Sequence, residues 1–197
     1  MPAEERVMHN CNSKMKTNML PFKGMLSIDI PMNNGFKISL LKWESTPTKY
    51  NAFSEIWITD NQERKTCYID PGEAKEIFDI YHSFDEVVPV KLHWTFKNKN
   101  ELEVTVESMK IKISLTTRQS TIERMVNLIL GTCLKGIFRK SGRTETNMSF
   151  NHQPHKVELI ESAVIEFGQN VSARLVSDSR CMISWCTHYL EEYGVKT

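Results

Sequence analysis

Val90-Lys91-Leu92-His93-Trp94-Thr95-Phe96-Lys97 leads into Asn98-Lys99-Asn100 and then Glu101-Leu102-Glu103-Val104-Thr105-Val106-Glu107. Val90, Leu92, Trp94 and Phe96 share one parity, and Lys91, His93, Thr95 and Lys97 share the other. Leu102, Val104 and Val106 repeat the arrangement, with Glu101, Glu103, Thr105 and Glu107 opposite. A period of two on both sides of three turn formers predicts a β-hairpin with one apolar and one charged face. At Ser108 the parity changes, and Met109, Ile111, Ile113 and Leu115 become the apolar set. That change requires either a bulge in one long strand or a tight turn between two.

Upstream, Leu26, Ile28 and Ile30 alternate with Ser27 and Asp29, and Phe36, Ile38 and Leu40 resume after the turn at Asn33-Asn34-Gly35. Further strands are expected over 53–59 and up to Tyr68 and Ile69, with a turn at Asp60-Asn61-Gln62. Asp70-Pro71-Gly72-Glu73 then offers an N-cap, a first-turn proline and a capping acid for a helix carrying Ala74, Ile77, Phe78 and Tyr81.

Downstream, Ile122, Met125, Val126, Ile129, Leu130, Cys133, Leu134, Ile137 and Phe138 fall at helical spacing, with Ser120 and Glu123 as a capping box and Gly142 as a stop. Over 157–176 the β-branched residues and the turn at Gly168-Gln169-Asn170 favour a hairpin over a helix. Ser179 can cap a closing helix with Met182, Trp185, Cys186, Tyr189, Leu190 and Tyr193. Strand runs punctuated by single helices predict an α+β fold, a mostly antiparallel sheet with helices packed on one face. The expected organisation is a mobile tail over 1–21 and a single domain over 22–195.

In architecture the pattern resembles the Whirly and Pur-type single-strand-binding proteins. The resemblance rests on Tyr68-Ile69-Asp70-Pro71-Gly72-Glu73 opening one helix and Ile113-Ser114-Leu115-Thr116-Thr117 leading into another, and spans about residues 25–140. It implies several antiparallel strands followed by one helix, repeated, with the sheet exposed to nucleic acid. It carries over no binding residue.

The chain has 197 residues, 40% hydrophobic and 25% charged, which places it among folded globular domains rather than disordered chains. It has no apolar run of the length a membrane helix needs and no apolar leader, so no membrane partner is expected. Five cysteines at irregular spacing argue against a disulfide framework and for a reducing, cytoplasmic setting.

The formal charge is only +1, yet residues 91–143 hold 11 Lys and Arg against 4 Asp and Glu, and the remainder 14 against 20. A local basic surface of this kind suits phosphate contacts. The candidate nucleic-acid-binding residues are Lys91, His93, Lys97, Lys99, Lys110 and Lys112, on the outer sheet face. The competing account pairs the same lysines with Glu101, Glu103 and Glu107 across strands, as a solvated face. The leading expectation is a non-enzymatic module binding single-stranded nucleic acid. The alternatives are a self-associating or scaffold-docking protein using Leu128, Trp185, Tyr189 and Tyr193, and an enzyme or ligand carrier with a pocket between sheet and helix.

Enzymatic signals are weak, because the chain has no G-x-S-x-G, Walker, G-x-G-x-x-G or H-E-x-x-H motif. Cys181, Cys186, His188, His152 and His155 contain enough N and S donors for zinc. Their spacing is irregular, and Cys181 and Cys186 would diverge on the expected helix, so no metal and no cofactor is expected. The segment Arg139-Lys140-Ser141-Gly142-Arg143-Thr144 sets a glycine among basic residues and can hold a phosphate. Its expected place at a helix C-terminus favours the reading of a basic helix end.

Overall fold

A computed structural model describes residues 18–119, 140–168 and 171–192, with Thr121, Arg124, Met125 and Asn127 between them. The hairpin at its centre is β6 (Leu92–Phe96) and β7 (Glu101–Val106), and Asn98 Oδ1 accepts from the Asn100 amide in its turn. A tight turn resolves the parity change. A single 3-10 turn, Glu107–Met109, ends on Lys110 in the left-handed region (φ 51°) before β8 (Ile111–Arg118).

Before this hairpin come β1 (Met19–Pro31), β2 (Lys37–Ser45), β3 (Phe53–Thr59), β4 (Lys65–Asp70), helix α1 (Lys75–Tyr81) and β5 (Glu86–Pro89). After it come β9 (Lys140–Arg143), β10 (Ser149–Phe167), β11 (Val171–Arg174) and β12 (Met182–Glu191). All twelve strands belong to one sheet, in the order β5-β4-β3-β2-β1-β12-β10-β8-β7-β6, with β9 and β11 paired to β10 off that path. The β10–β11 pairing is the hairpin expected over 157–176.

The expected α+β class is overturned: the described residues are mostly β, a curled half-barrel of ten strands, and among them the short α1 does not make a layer of helices on one face. Two readings account for the error. The closing helix is instead the strand β12, which lies between β1 and β10. A central strand is buried on both faces, so its apolar residues do not alternate cleanly with polar ones. Ile183 joins one core cluster, Cys186 and Leu190 the other, and Ser184 and Thr187 are buried as well.

The long helix expected over 122–138 lies outside the described residues except for Arg124, Met125 and Asn127. Thr121, Arg124, Met125 and Asn127 are helical, and the Asn127 amide exchanges two 2.8 Å hydrogen bonds with the backbone of Val157 in β10. The strand runs that carry the resemblance to the Whirly and Pur-type proteins belong to one continuous sheet, with α1 after β4 and helical residues after β8.

Local corrections follow the same logic. Asp70 does not cap a helix: a 3-10 turn, Gly72–Ala74, starts after Pro71 with no side-chain cap, and the Asp70 carboxylate accepts from the Leu92 amide at 3.0 Å. Strand β1 begins at Met19, inside the stretch read as a tail, by pairing with Glu191. A register shift between Ser27 and Ile30, with Asp29 at φ 53°, buries Ser27 and exposes Ile28, reversing the alternation read there.

Strands β5 and β6 stand at opposite ends of the sheet, yet only Val90 and Lys91 separate them in the chain. Three residues of chain reach about 11 Å at most, so the sheet must curl until its ends meet at a corner. Two cores result. On the inner side Ile38, Leu40 and Ile56 pack against Val104, Ile113 and Ile165. On the other side Phe22, Trp43, Phe53 and Trp57 form a second cluster, which Ile77 and Tyr81 of α1 join.

Gly24 allows β1 and β2 to lie close together, because a Cβ there would collide with the Lys42 carbonyl oxygen and stand 2.9 Å from the Trp43 Cα. Gly24→Ala is expected to destabilise the fold by about 1–3 kcal/mol or more, as overpacking against backbone does. A chemical-denaturation midpoint equal to that of the parent would contradict this account.

Candidate functional site: an aromatic cavity

In β2, β3 and β4 the odd-numbered residues face away from the inner core: Trp43, Phe53, Glu55, Trp57 and Cys67. This face, with the facing parts of β1, β10 and β12, bounds a cavity of about 730 Å³. Its aromatic rings meet edge to face, with Phe22 5.7 Å from Trp43, 6.4 Å from Phe53 and 6.5 Å from Tyr81. The Tyr81 hydroxyl fixes α1 over one side by donating to the Glu191 carbonyl at 2.9 Å.

Glu55 lies in this wall and is 0% exposed. Its Oε1 accepts from the Trp43 indole N–H at 3.0 Å and its Oε2 from that of Trp57 at 2.6 Å. Burial pushes the carboxyl up to about 8, against the pull of the two indoles and of Lys65. At neutral pH the group is therefore mostly the uncharged acid, the form that burial in low dielectric favours. Burial also raises the thiol of Cys67, with Glu55 adding to the shift, and lifts Cys186 to about 12. Neither is a thiolate nucleophile.

Two histidines meet across β10 and β12, where His152 and His188 are register partners with their Nδ1 atoms 3.5 Å apart. His188 stacks on Phe150 (centroids 5.2 Å, planes 22° apart), and His152 Nε2 lies 3.3 Å from Ser184 Oγ. Burial depresses His188 to about 3, and His152 to about 4 with help from the charge of Lys140. His82, against the Trp57 ring at 4.6 Å, is held at about 4 by burial and Lys65. All three are neutral at physiological pH. Of the five metal donors considered in the sequence, the fold joins only His152 and His188 directly. Cys181 packs against the other core, and among the described residues no three His, Cys, Asp or Glu side chains converge as a metal site.

The rim is charged. Lys37 pairs with Glu63 at 3.0 Å, and Lys65 pairs with Glu145 at 2.7 Å while its ammonium stands 4.5 Å from the Trp57 ring centre. Lys140 and Arg143 reach the cavity from β9. The expected basic helix end is therefore corrected to a strand paired with β10.

The lysine face proposed from sequence lies elsewhere, on β6, β7 and β8. Glu103 binds both Lys97 (2.6 Å) and Lys112 (3.1 Å), whose hydrogen bonds hold its carboxyl below the usual value. Lys91 lies 3.2 Å from Asp70, and His93 lies 3.7 Å from Glu107. Lys99 stands in the β6–β7 turn and Lys110 in the β7–β8 turn, and neither forms an ion pair among the described residues. Phe96, read as inward-facing, is 50% exposed at the end of β6, with the Lys42 ammonium 5.5 Å from its ring centre. Of the proposed docking residues, Trp185 packs against the inner core with the Lys156 ammonium 4.2 Å from its ring centre, Tyr189 is half-buried, and Leu128 and Tyr193 lie outside the described residues.

Sequence reading missed Glu55 and the His152–His188 pair. The signal for the first was present: Glu55 shares strand parity with Phe53 and Trp57, so it had to enter an aromatic face. The second depended on β12 being a strand. Fold and cavity together define a β half-barrel with an aromatic pocket. No protein-family model matches the chain, no curated protein is similar to it, and no solved structure matches its fold. Among the described residues no helix is long and apolar enough to cross a membrane.

These groups set opposing pH limits. Glu55, ordinarily near 4.5 and about 8 here, costs stability as pH rises from its unfolded value through 8. The three histidines, ordinarily near 6.5, cost stability as pH falls below that value towards 4. The melting temperature is expected to peak near neutrality and fall on both sides. Glu55→Gln is expected to flatten the alkaline limb while losing about 1 kcal/mol near neutrality, because an amide nitrogen cannot accept the second indole. An unchanged alkaline limb in the variant would refute the assignment to Glu55.

Proposed function

We propose that the protein is a non-enzymatic carrier of a small, largely apolar molecule, held in the cavity between the sheet and α1. The observation that carries this reading is an aromatic cavity of about 730 Å³ whose buried Glu55 and half-buried His152 and His188 are uncharged at neutral pH. That volume lies within the range of pockets for drug-sized ligands, where mostly apolar walls and a few polar groups are the usual construction. Protonated thiols and a carboxyl engaged by two indoles supply no ionised nucleophile, and histidines depressed to about 3 and 4 are only weak bases, which supports binding rather than turnover.

The test is titration with an environment-sensitive apolar dye, read by dye emission and by quenching of tryptophan fluorescence. Saturable binding is expected at micromolar dye. Leu26→Trp, which fills the cavity from a half-buried position of β1, should weaken it at least tenfold with little change in melting temperature. No saturation at tens of micromolar, or equal binding by the variant, would overturn the reading.

Single-stranded nucleic acid on the face of β6–β8 is a second reading. The exposed Phe96 and Lys99 and Lys110, which form no ion pair among the described residues, favour it, while the carboxylates on Lys91, Lys97 and Lys112 weaken it. Under it, reversing Lys110 and Lys112 to Glu should lower affinity for a labelled oligonucleotide and flatten its salt dependence. Indifference of a bound oligonucleotide to the reversal would exclude this face.

A further inference from the structure

We infer that the ligand of this cavity is an amphipathic carboxylate, its apolar body on the aromatic floor and its acid group at Lys140 and Arg143 of β9. The inference rests on the carrier reading and adds the chemical class and the orientation of what is carried.

The polarity of the cavity runs from floor to rim. Phe22, Trp43 and Phe53 are at most 5% exposed, whereas Lys140 and Arg143 are exposed residues that still line the same cavity. A ligand carboxylate placed at the floor would lose its water and meet the buried carboxyl of Glu55, with only neutral donors nearby. At the rim it meets cations.

Those cations differ from their neighbours. Lys37 and Lys65, on the same rim, are neutralised by Glu63 and Glu145. Lys140 forms no ion pair among the described residues, and Arg143 is held through Nη1 by two neutral acceptors, the Asn147 side-chain oxygen at 2.9 Å and its carbonyl at 3.3 Å. That contact orients the guanidinium and spares its remaining N–H groups; Arg143 makes no ion pair among the described residues, although its charge adds to the Ser149 hydrogen bonds in holding the nearby Glu191 carboxyl low. A carboxylate accepts such donors in charge-assisted bonds about twice as strong as neutral ones. Asp29 is the carboxylate on the rim without an ion pair among the described residues; it sits at the β1 register shift.

Gly142 explains how β9 reaches the cavity. A Cβ at this position would stand 2.7 Å from the Phe150 ring. Without one, the strand settles on that ring, which in turn stacks on His188. The basic residues flanking the glycine are thus carried to the mouth of an apolar pocket. The glycine and cations of Lys140–Arg143 serve an anion, though on a strand and not at a helix end. The charge of Lys140 is felt inside, where it helps to hold His152 neutral.

The experiment uses the full chain loaded with an uncharged apolar dye and displaces that probe with dodecanoate or with dodecanol at neutral pH. Dodecanoate is expected to compete at least tenfold better than dodecanol, and the preference should shrink as salt is raised. In the doubly substituted Lys140→Gln, Arg143→Gln protein the two competitors should become equivalent, with dodecanol affinity unchanged. Both residues are exposed, and circular dichroism confirms that the variant folds. Equal competition by the two in the parent, or a preference that survives the double substitution, overturns the inference and leaves the carrier reading standing. Failure of the probe and of both competitors to bind removes the carrier reading and the inference together.

Discussion

Val90 and Lys91 alone separate β5, at one end of the sheet, from β6 at the other. Every larger feature of the molecule follows from that constraint. A flat sheet of ten strands at about 4.8 Å spacing would hold its ends some 40 Å apart, far beyond the reach of so short a connection. The sheet therefore curls, and the corner is fixed by two contacts: the Val90 amide on the Ile69 carbonyl and the Asp70 carboxylate on the Leu92 amide. Curling separates the two sides. One closes on itself as an aliphatic core, and the other is left to be covered by α1 and the β9 strand, with space remaining.

The remaining space is electrostatically quiet although it contains ionisable side chains. Glu55 and the His152–His188 pair would make a charged site if hydrated, but burial keeps all three neutral at physiological pH. The two indole N–H groups on Glu55 are then structural. They lock Trp43 and Trp57 at fixed angles on adjacent strands and give the cavity a rigid aromatic wall. Charge is confined to the rim, where two of the four cations have acidic partners. A pocket of this kind discriminates first by apolar fit and only at its mouth by charge.

Much of this was legible where strands have one polar face. The alternation from Val90 to Val106 gave the β6–β7 hairpin, and Gly168-Gln169-Asn170 marked the turn between β10 and β11. The reading failed where burial was two-sided. In β12 the run Ile183, Ser184, Trp185, Cys186, Thr187 feeds both cores, so period two disappeared and a helical spacing was found instead. Asp70 misled because an acid before proline is a good N-cap locally, while its observed partners, Lys91 and Leu92, are brought to it by the closure of the sheet. Gly142 misled in the same way: a glycine among cations suits a helix end until a ring beneath it is known. The cavity residues come from β1, β2, β3, β4, α1, β9, β10 and β12, and no local pattern joins them.

The position of β12 also sets an order of events during folding. It pairs with β1 on one edge and β10 on the other, and the partners Met19 and Glu191 are nearly the whole described chain apart. Such non-local pairing makes for slow folding, since the loop must close before any contact rewards it. Until the last strand arrives, β1 and β10 each present an unsatisfied edge, and the Phe22–Trp43 and Phe150 walls have no floor between them. A chain halted before residue 182 is therefore a template for strand exchange with its neighbours, and the cavity is enclosed only once β12 has paired.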